Sequence, residues 1–400
     1  MKKKLVFRVL SVLSITGLFA CSPAVYSGNA QYQATGIKIG EVTSNSAIIW
    51  MRLSVNAERI GKDGGIPEVL YLNSETGKYE LRSGRQNATP KVIFPEGKSV
   101  SSIEGAVPGI SGKVRLLYKR QTESEWQKTK WHNVSAEKDY TKQIRLEGLQ
   151  PDSLYQIRTE SESGNVVEGQ FQTAPRDDQE ARVLFTVSTG QAYPDMDTPD
   201  GYKIYPAMLK LKPHFFVHTG DILYYDGLGK TLDLARWHWQ RMYSLPTNVE
   251  FHRQVATYFI KDDHDTWRND CWPSMKTKFM GEFTFEQGQR IFLEQVPMGE
   301  KTYRTVRWGK DLQIWFVEGR DFRSPNNMPD GPKKVIWGKP QMNWFFDTAR
   351  ASDATFRILI SPTPILGPDR PKKSDNHANE AFRNEGDKIR SFIASQKPFA

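Results

Sequence analysis

The sequence predicts a layered α/β domain in its C-terminal half, preceded by an all-β sandwich. Five near-continuous apolar runs lie between residues 182 and 364, as is typical of strands that are buried on both faces. Stretches with helical periodicity separate these runs, and segments that alternate polar and apolar residues precede them. Because a chain of 400 residues is too long for a typical single domain, we expect at least two.

The segment 31–175 predicts the sandwich. "TSNSAIIWMRLSV" (43–55), "GKVRLLYKR" (112–120) and "TKQIRLEGL" (141–149) read as strands, and Tyr155 follows in a context that resembles a tyrosine corner, whose phenol bonds to nearby backbone. The segment is similar to a fibronectin type III domain with an insertion at about 56–110, to which the sequence assigns no structure. It carries no residues that indicate chemistry, so a structural spacer is the simplest interpretation.

The first 30 residues read as an export signal. A basic start (2–4) precedes an apolar stretch (9–20) that is too short to span a bilayer. The stretch ends in "LFAC" and resembles a bacterial lipobox, which predicts lipid on Cys21; a plain signal peptide is the alternative. Ser22 then resembles a signal for outer-membrane sorting. We expect an exported lipoprotein of the bacterial envelope, held to the membrane by this anchor and facing the periplasm or the exterior.

The charge of the chain is mildly basic. The formal net charge is +9, and removal of residues 1–20, with four cations and no acids, leaves 9 − 4 = +5. This charge is compatible with anionic ligands. No Lys/Arg stripe interleaved with aromatic residues is present in the sequence, so nothing indicates binding to nucleic acid.

Polar residues follow four of the five apolar runs, at Gln191, Asp221, Asp263 to Asp265, and Asp321. Ligands of such sheets bind beyond the carboxyl ends of the strands. Carboxylates with one imidazole suit Fe, Mn, Mg or Ca better than a metal that prefers thiolates. Two adjacent ions would hold a phosphate ester and activate water. The alternative is a set of ordinary turn residues.

Four stretches carry a resemblance to a known family. "HTGDILYYD" (218–226), "DDHDT" (262–266), "EGRDFRSP" (318–325) and "SPTPILGP" (361–368) resemble the PhoD-like alkaline phosphatases of the calcineurin-like metallophosphoesterase superfamily, with the same motif order over about 181–400. The resemblance implies a four-layer α/β/β/α core behind the fibronectin-like sandwich. It also implies phosphomonoesterase or phosphodiesterase activity at a binuclear centre, containing Fe with Ca, or Mn, Mg or Zn.

The resemblance also implies roles for individual residues. Asp221 stands at the position of the metal-bridging aspartate, Tyr224 at that of an iron ligand, and Asp263 at that of a ligand to the second metal. His264 matches the histidine that contacts phosphate and protonates the leaving group. Three residues of the "EGRDFRSP" motif match a segment beside the site, where a guanidinium could clamp phosphate oxygens: Arg320, Asp321 and Arg323.

Two departures from the family pattern bear on activity. Gly190, in "STGQ", replaces a cysteine of the PhoD type, so the first metal is expected to be different or more weakly bound. The family also has a later Gly-Asp-x-His strand and a further histidine beyond the point that corresponds to Ala400, so we expect a truncated product. Asn376 and His377, with Asp375, offer further polar groups, although a loop and helix cap is as good an interpretation.

These observations predict three segments, 1–30, 31–175 and 181–400, of which the last carries the hydrolytic site. The alternative function is a truncated or degenerate, non-catalytic surface protein that binds anionic glycans or phosphorylated ligands.

Overall fold

A computed structural model describes residues 30–81, 87–367, 369–370 and 372–396. The predicted export signal and Cys21 lie outside the described residues. No helix in the described ranges has both the length and the hydrophobicity that a membrane span requires.

The N-terminal segment is built from strands and two 3-10 turns. The turns are Lys62–Gly64 and Ala136–Lys138. The strands are β1 (Ile37–Gly40), β2 (Ser46–Arg52), β3 (Glu68–Leu72), β4 (Tyr79–Glu80), β5 (Pro90–Ile93), β6 (Gly112–Arg120), β7 (Gln127–Lys128), β8 (His132–Val134), β9 (Thr141–Glu147), β10 (Leu154–Ser161) and β11 (Val166–Gln172).

The C-terminal segment alternates strands and helices, with 3-10 turns at Tyr193–Asp195 and Glu380–Phe382. Its strands are β12 (Phe185–Ser188), β13 (Phe215–His218), β14 (Ala256–Phe259), β15 (Arg304–Trp308), β16 (Leu312–Phe316) and β17 (Phe356–Ile360). Its helices are α1 (Ile204–Lys210), α2 (Leu232–Tyr243), α3 (Pro246–His252), α4 (Phe285–Gln295), α5 (Gly338–Ala351) and α6 (Arg383–Ser395).

The C-terminal segment forms four layers. One sheet contains the parallel strands β12, β13 and β14, and a second sheet has the order β15-β16-β17. Phe215 and Tyr258 of the first sheet share a buried core with Ile314 and Phe316 of the second. Helices α1 to α4 cover the outer face of the first sheet, and α5 and α6 cover the outer face of the second. The predicted α/β/β/α arrangement is confirmed.

The first sheet continues into the N-terminal segment. Its full order is β12-β13-β14-β1-β2-β9, and β1 joins β14 in parallel at Gly40 and Thr257. A five-stranded sheet, β11-β10-β6-β7 with β8 beside β6, shares the same core as this half of the long sheet and completes the sandwich. The hydroxyl of Tyr155 accepts a hydrogen bond from the backbone N–H of Gln150 at 2.9 Å, as the tyrosine corner predicts. The boundary at 175–181 stays a prediction.

The insertion at 56–110, to which the sequence assigned no structure, contains a three-stranded sheet, β4-β3-β5. Tyr71 of β3 stacks on Phe279, with ring centroids 5.5 Å apart. Ile103 and Ala106 share a buried cluster with Trp237 of α2. The insertion therefore packs on the helical side of the C-terminal segment.

Buried histidines lie on the helical side of the first sheet. His218 is fully buried, and neither ring nitrogen has a hydrogen-bond partner among the described residues. Burial lowers the pKa of His218 to about 3, so its ring is neutral in the folded protein. Stability from this neutral ring is present above the unfolded pKa of about 6.5 and is lost as the pH falls.

We expect acid to destabilise the protein through His218. Between about pH 7 and about pH 5, this ring alone should lower the free energy of unfolding by about 2 kcal/mol. In His218→Leu, that part of the acid sensitivity should disappear from urea-unfolding curves recorded at both pH values. His214→Leu changes a partly exposed histidine and is the control. Equal acid sensitivity in His218→Leu and the wild type would contradict the prediction.

Candidate metal centre

The loops that follow β13 and β14 approach each other closely. Gly220 and Asp221 both have left-handed backbone conformations, with φ of 109° and 53°. A β-carbon on Gly220 would lie 2.9 Å from the β-carbon of Asp262, so only glycine permits this approach. The backbone of Asp221 is more strained than that of Gly220, because a residue other than glycine disfavours this conformation. This turn directs the Asp221 side chain toward the end of β14.

Asp265 ties the two loops together. Its Oδ1 accepts the backbone N–H of Asp262 at 2.6 Å, and its Oδ2 accepts that of Ile222 at 3.2 Å. The residue is fully buried. Asp265 therefore supports the site from beneath.

Three predicted residues meet at these strand ends. One ligand atom from each of Asp221, Asp263 and His264 lies within 4.8 Å of the others. Oδ1 of Asp221 is buried with no hydrogen-bond partner among the described residues, and Oδ2 accepts the hydroxyl of Tyr224 at 3.1 Å. A buried carboxylate oxygen without a partner is costly. Carboxylate and phenol oxygens such as those of Asp221, Asp263 and Tyr224 are donors that fit a hard metal ion.

Charge is unevenly distributed in this group. Burial, followed by the neighbouring charge of Asp263, raises the pKa of Asp221. Burial also acts to raise the pKa of Asp263, but the charges of Arg320 and His264 outweigh it and hold that pKa low. Asp263 is therefore the firmly ionised carboxylate, and Asp221 is the one that gains most from a bound cation.

His264 lies at the rim of the group and is held by Asp226. Its Nδ1 is hydrogen-bonded to Oδ2 of Asp226, and its side chain is 13% exposed. Burial lowers the pKa of His264, but the Asp226 hydrogen bond and the charge of Asp263 outweigh it and raise that pKa to about 9. The ring of Tyr224 packs on the imidazole, with centroids 4.4 Å apart. Asp226 was not among the residues predicted from the sequence.

Arg320 is buried among carboxylates. Its Nε donates to Asp262 at 2.6 Å, and its Nη2 lies 3.4 Å from Asp375 and 3.8 Å from Asp263. Its Nη1 has no partner among the residues described. The guanidinium therefore connects the ends of β14 and β16 to the loop that carries Asp375.

A second acidic group adjoins the first, and lysine neutralises part of it. Asp263, Asp270 and Asp375 place one oxygen each within 4.8 Å of one another. The ammonium of Lys373 lies 2.6 Å from Asp270 and 3.3 Å from Asp375. With Arg320 also beside Asp375, this group already has cationic partners.

Two other residues of the predicted substrate segment bond to the protein itself. The Asp321 carboxylate accepts Lys261 at 2.6 Å and Gln289 at 2.7 Å. Arg323 is buried and donates to the backbone carbonyl of Asp375 at 2.6 Å. Their substrate-binding roles stay predictions.

Asn376 and His377 are buried in the adjoining loop. The Asn376 amide donates to Asp369 at 2.9 Å. Nε2 of His377 lies 2.8 Å from Glu385, whose carboxylate also accepts the backbone N–H groups of residues 336–338. Neither residue belongs to the two acidic groups found among the described residues.

Gly190 lies beside the proposed ligands. Its N–H donates to the carbonyl of Gly220 at 3.1 Å, which joins the loop after β12 to that after β13. A β-carbon at position 190 would lie 3.7 Å from the hydroxyl of Tyr224, an ordinary contact distance. A side chain at this position would therefore adjoin the centre.

Removal of the Asp265 carboxylate should loosen both loops. Asp265→Ala leaves the N–H groups of Ile222 and Asp262 without their acceptor, so we expect the free energy of unfolding to fall by about 2–4 kcal/mol. Urea unfolding measures this loss. Asp233→Ala, on the exposed side of α2, is the control. A loss below about 1 kcal/mol for Asp265→Ala would contradict the structural role.

Comparison with known proteins shows the fold and the family of this chain. A solved structure titled "Structure of PhoD" is 16% identical, with a TM-score of 0.68 over 93% of this chain and 70% of that chain, which shows a shared fold. A purple acid phosphatase, PPD1 from yellow lupin (Lupinus luteus) seeds, is 12% identical over 84% of this chain and 52% of its own, with a TM-score of 0.46. A fibronectin type III domain from human KIAA0970 is 9% identical, with a TM-score of 0.19 over 38% of this chain and 80% of its own. The last two similarities are too low to support an argument.

The search of curated proteins gives no match. Residues 185–397 match the family described as PhoD-like phosphatase, and these 397 − 185 + 1 = 213 residues are more than half of the chain. This match covers the strands and loops that hold Asp221, Asp263 and His264. The chain belongs to the PhoD-like phosphatase family.

Proposed function

We propose that this chain hydrolyses phosphomonoesters or phosphodiesters at a binuclear metal centre. The observation that carries the proposal is the group formed by Asp221, Asp263 and His264, in which a buried oxygen of Asp221 has no protein partner among the described residues. A cation is the partner that such an oxygen would gain most from. A phosphate ester is a suitable substrate because a metal centre can bind its anionic oxygens.

We propose that Asp221, Tyr224 and Asp263 would hold the metal ions. The oxygen-rich set supports iron with calcium, or manganese, magnesium or zinc. When bound, such ions would polarise the phosphate and lower the pKa of an attacking water.

The surrounding residues hold and deliver a proton. His264, kept cationic by Asp226, would donate a proton to the leaving-group oxygen from Nε2, because Nδ1 is engaged with Asp226. Asp226 is then a positioning residue that fixes the orientation of the ring. Arg320 would hold Asp262 and Asp263 in place through its buried contacts.

Asp221→Asn should abolish most of this activity. Loss of the Asp221 carboxylate charge would weaken the binding of metal ions at the site, so kcat on 4-nitrophenyl phosphate and its bis(4-nitrophenyl) diester should fall about a hundredfold or more. The bound metal, measured by elemental analysis of the full chain, should fall as well. Asp233→Asn is the matched surface control. A rate for Asp221→Asn within a factor of two of the wild-type rate would contradict the mechanism. A wild-type chain that binds no metal and hydrolyses neither ester would favour the non-catalytic alternative.

We also propose that the chain is exported and anchored by lipid on Cys21, on the basis of the "LFAC" stretch after a basic, then apolar, N-terminus. In a bacterial host, wild-type chain should incorporate labelled palmitate and separate with the outer membrane on a density gradient. Cys21→Ser should lose both properties, whereas Ser22→Ala should still incorporate the label. Equal labelling of Cys21→Ser would contradict the anchor.

A further inference from the structure

A cavity of about 400 Å³ lies between the insertion and the loop that follows β12. The insertion contributes Arg59, Lys62 and Glu104 to its lining, and the loop contributes Tyr193, Met196 and Asp197. Neither acidic group of the candidate metal centre shares a residue with this lining. The cavity is therefore a separate feature.

The lining of the cavity carries two cations, Arg59 and Lys62, and two carboxylates, Glu104 and Asp197, and a third cation, Arg241, is buried behind it. The guanidinium carbons of Arg59 and Arg241 lie 5.4 and 4.5 Å from the ring centre of Tyr193. Arg59 donates to the Tyr193 hydroxyl and, at 2.9 Å, to the carbonyl of Arg241. In the described part of the chain, no carboxylate forms an ion pair with Arg59, Lys62 or Arg241. Within the described ranges, Arg59 and Arg241 have neutral hydrogen-bond partners, but they lack the carboxylate partner that Arg52 and Arg320 have.

Arg241 is a buried cation without a paired carboxylate in the part of the chain that the structure describes, which is energetically unfavourable. It is 6% exposed, and its Nε has no hydrogen-bond partner among the described residues. Burial lowers its pKa to about 10, which is the expected result of holding a guanidinium without a directly paired anion. The carboxylate of Glu104 accepts a hydrogen bond from the Tyr193 hydroxyl at 3.3 Å. Asp197 accepts the backbone N–H of Lys203 at 2.8 Å. An added anion would be favoured here.

The loop that lines the cavity begins at the candidate metal centre. Gly190 adjoins Tyr224, and Tyr193 follows three residues later, so their Cα atoms are at most about 11 Å apart. The two places are therefore within the length of one extended organic molecule. A phosphate at the centre could carry a chain whose far end enters the cavity.

We propose that this cavity binds a second anionic group of the substrate, so that the preferred phosphate esters carry two anionic groups. This inference rests on the proposed function. Arg59 and Lys62 would contact the second anion, and the buried Arg241 behind them adds to the positive potential. The insertion, which is absent from the four-layer core, is then the element that selects the substrate.

The test compares two substrates that differ in one phosphate, octane-1,8-diol bisphosphate and octane-1,8-diol monophosphate. The kcat/KM of the wild-type chain should be about fivefold or more higher for the bisphosphate than for the monophosphate. A bisphosphate has two equivalent esters, so a twofold difference is expected on statistical grounds alone. The preference should arise in KM and weaken with added salt. Lys62→Ala and Arg59→Gln should each reduce the preference for the bisphosphate toward the statistical value of about twofold. Lys98→Ala removes another exposed lysine of the insertion, outside the cavity, and should leave it unchanged.

The outcomes separate this inference from the proposed function. Metal-dependent hydrolysis of both substrates with no preference, or a preference that survives in Lys62→Ala and Arg59→Gln, would overturn the inference alone. If neither substrate is hydrolysed, the proposed function fails, and calorimetric titration of the chain with the bisphosphate decides the inference. Binding that is weakened in Lys62→Ala, the exposed variant least disruptive to folding, would support the cavity as an anion site. Absence of binding would overturn it.

Discussion

The candidate site depends on one buried guanidinium. Arg320 is 1% exposed, and a charge at that depth is tolerated only when it is paired and hydrogen-bonded. Its partners come from two places: Asp262 and Asp263 follow β14, and Asp375 lies in the loop before α6. The ion pairs therefore join segments that are distant in sequence. Because one cation contacts carboxylates from both segments, the two sets of loops hold each other in position.

The rest of the fold supports this arrangement because one sheet and one core extend through both segments. The long sheet extends from the loops of the centre into the sandwich, and one core runs under both. Lys38 of β1 reaches across this junction: its ammonium lies 3.6 Å from the ring centre of Trp50 and donates to the carbonyl of Gln295 in α4 at 2.6 Å. The N-terminal strands are thus packed into the catalytic layers, and the spacer interpretation understates what they contribute.

Local patterns predicted a layered α/β domain with polar residues after its strands, whereas the family resemblance implied the four layers and the roles of the site residues. Apolar runs that end in carboxylates predicted the strand ends at Asp221 and Asp263, and periodicity predicted the helices between them. Asp226 was missed because its partnership with His264 depends on how two loops fold together, which spacing does not encode. The insertion was missed for a similar reason: its short strands bury side chains against α2 and Phe279 and carry little periodicity of their own.

The two acidic groups share Asp263, but binding of a cation would be more favourable at one group than at the other. In the second group, Lys373 and Arg320 already lie within 3.4 Å of Asp375, so a metal ion would have to displace bound cations. In the first, Asp221 has an oxygen with no partner among the described residues, and burial, followed by the charge of Asp263, raises the pKa of its carboxyl. Folding has therefore already removed the Asp221 carboxylate from water, and a bound cation would offset the free-energy cost of that burial. The same reasoning favours an anion beside Arg241, where the sign of the unpaired charge is reversed.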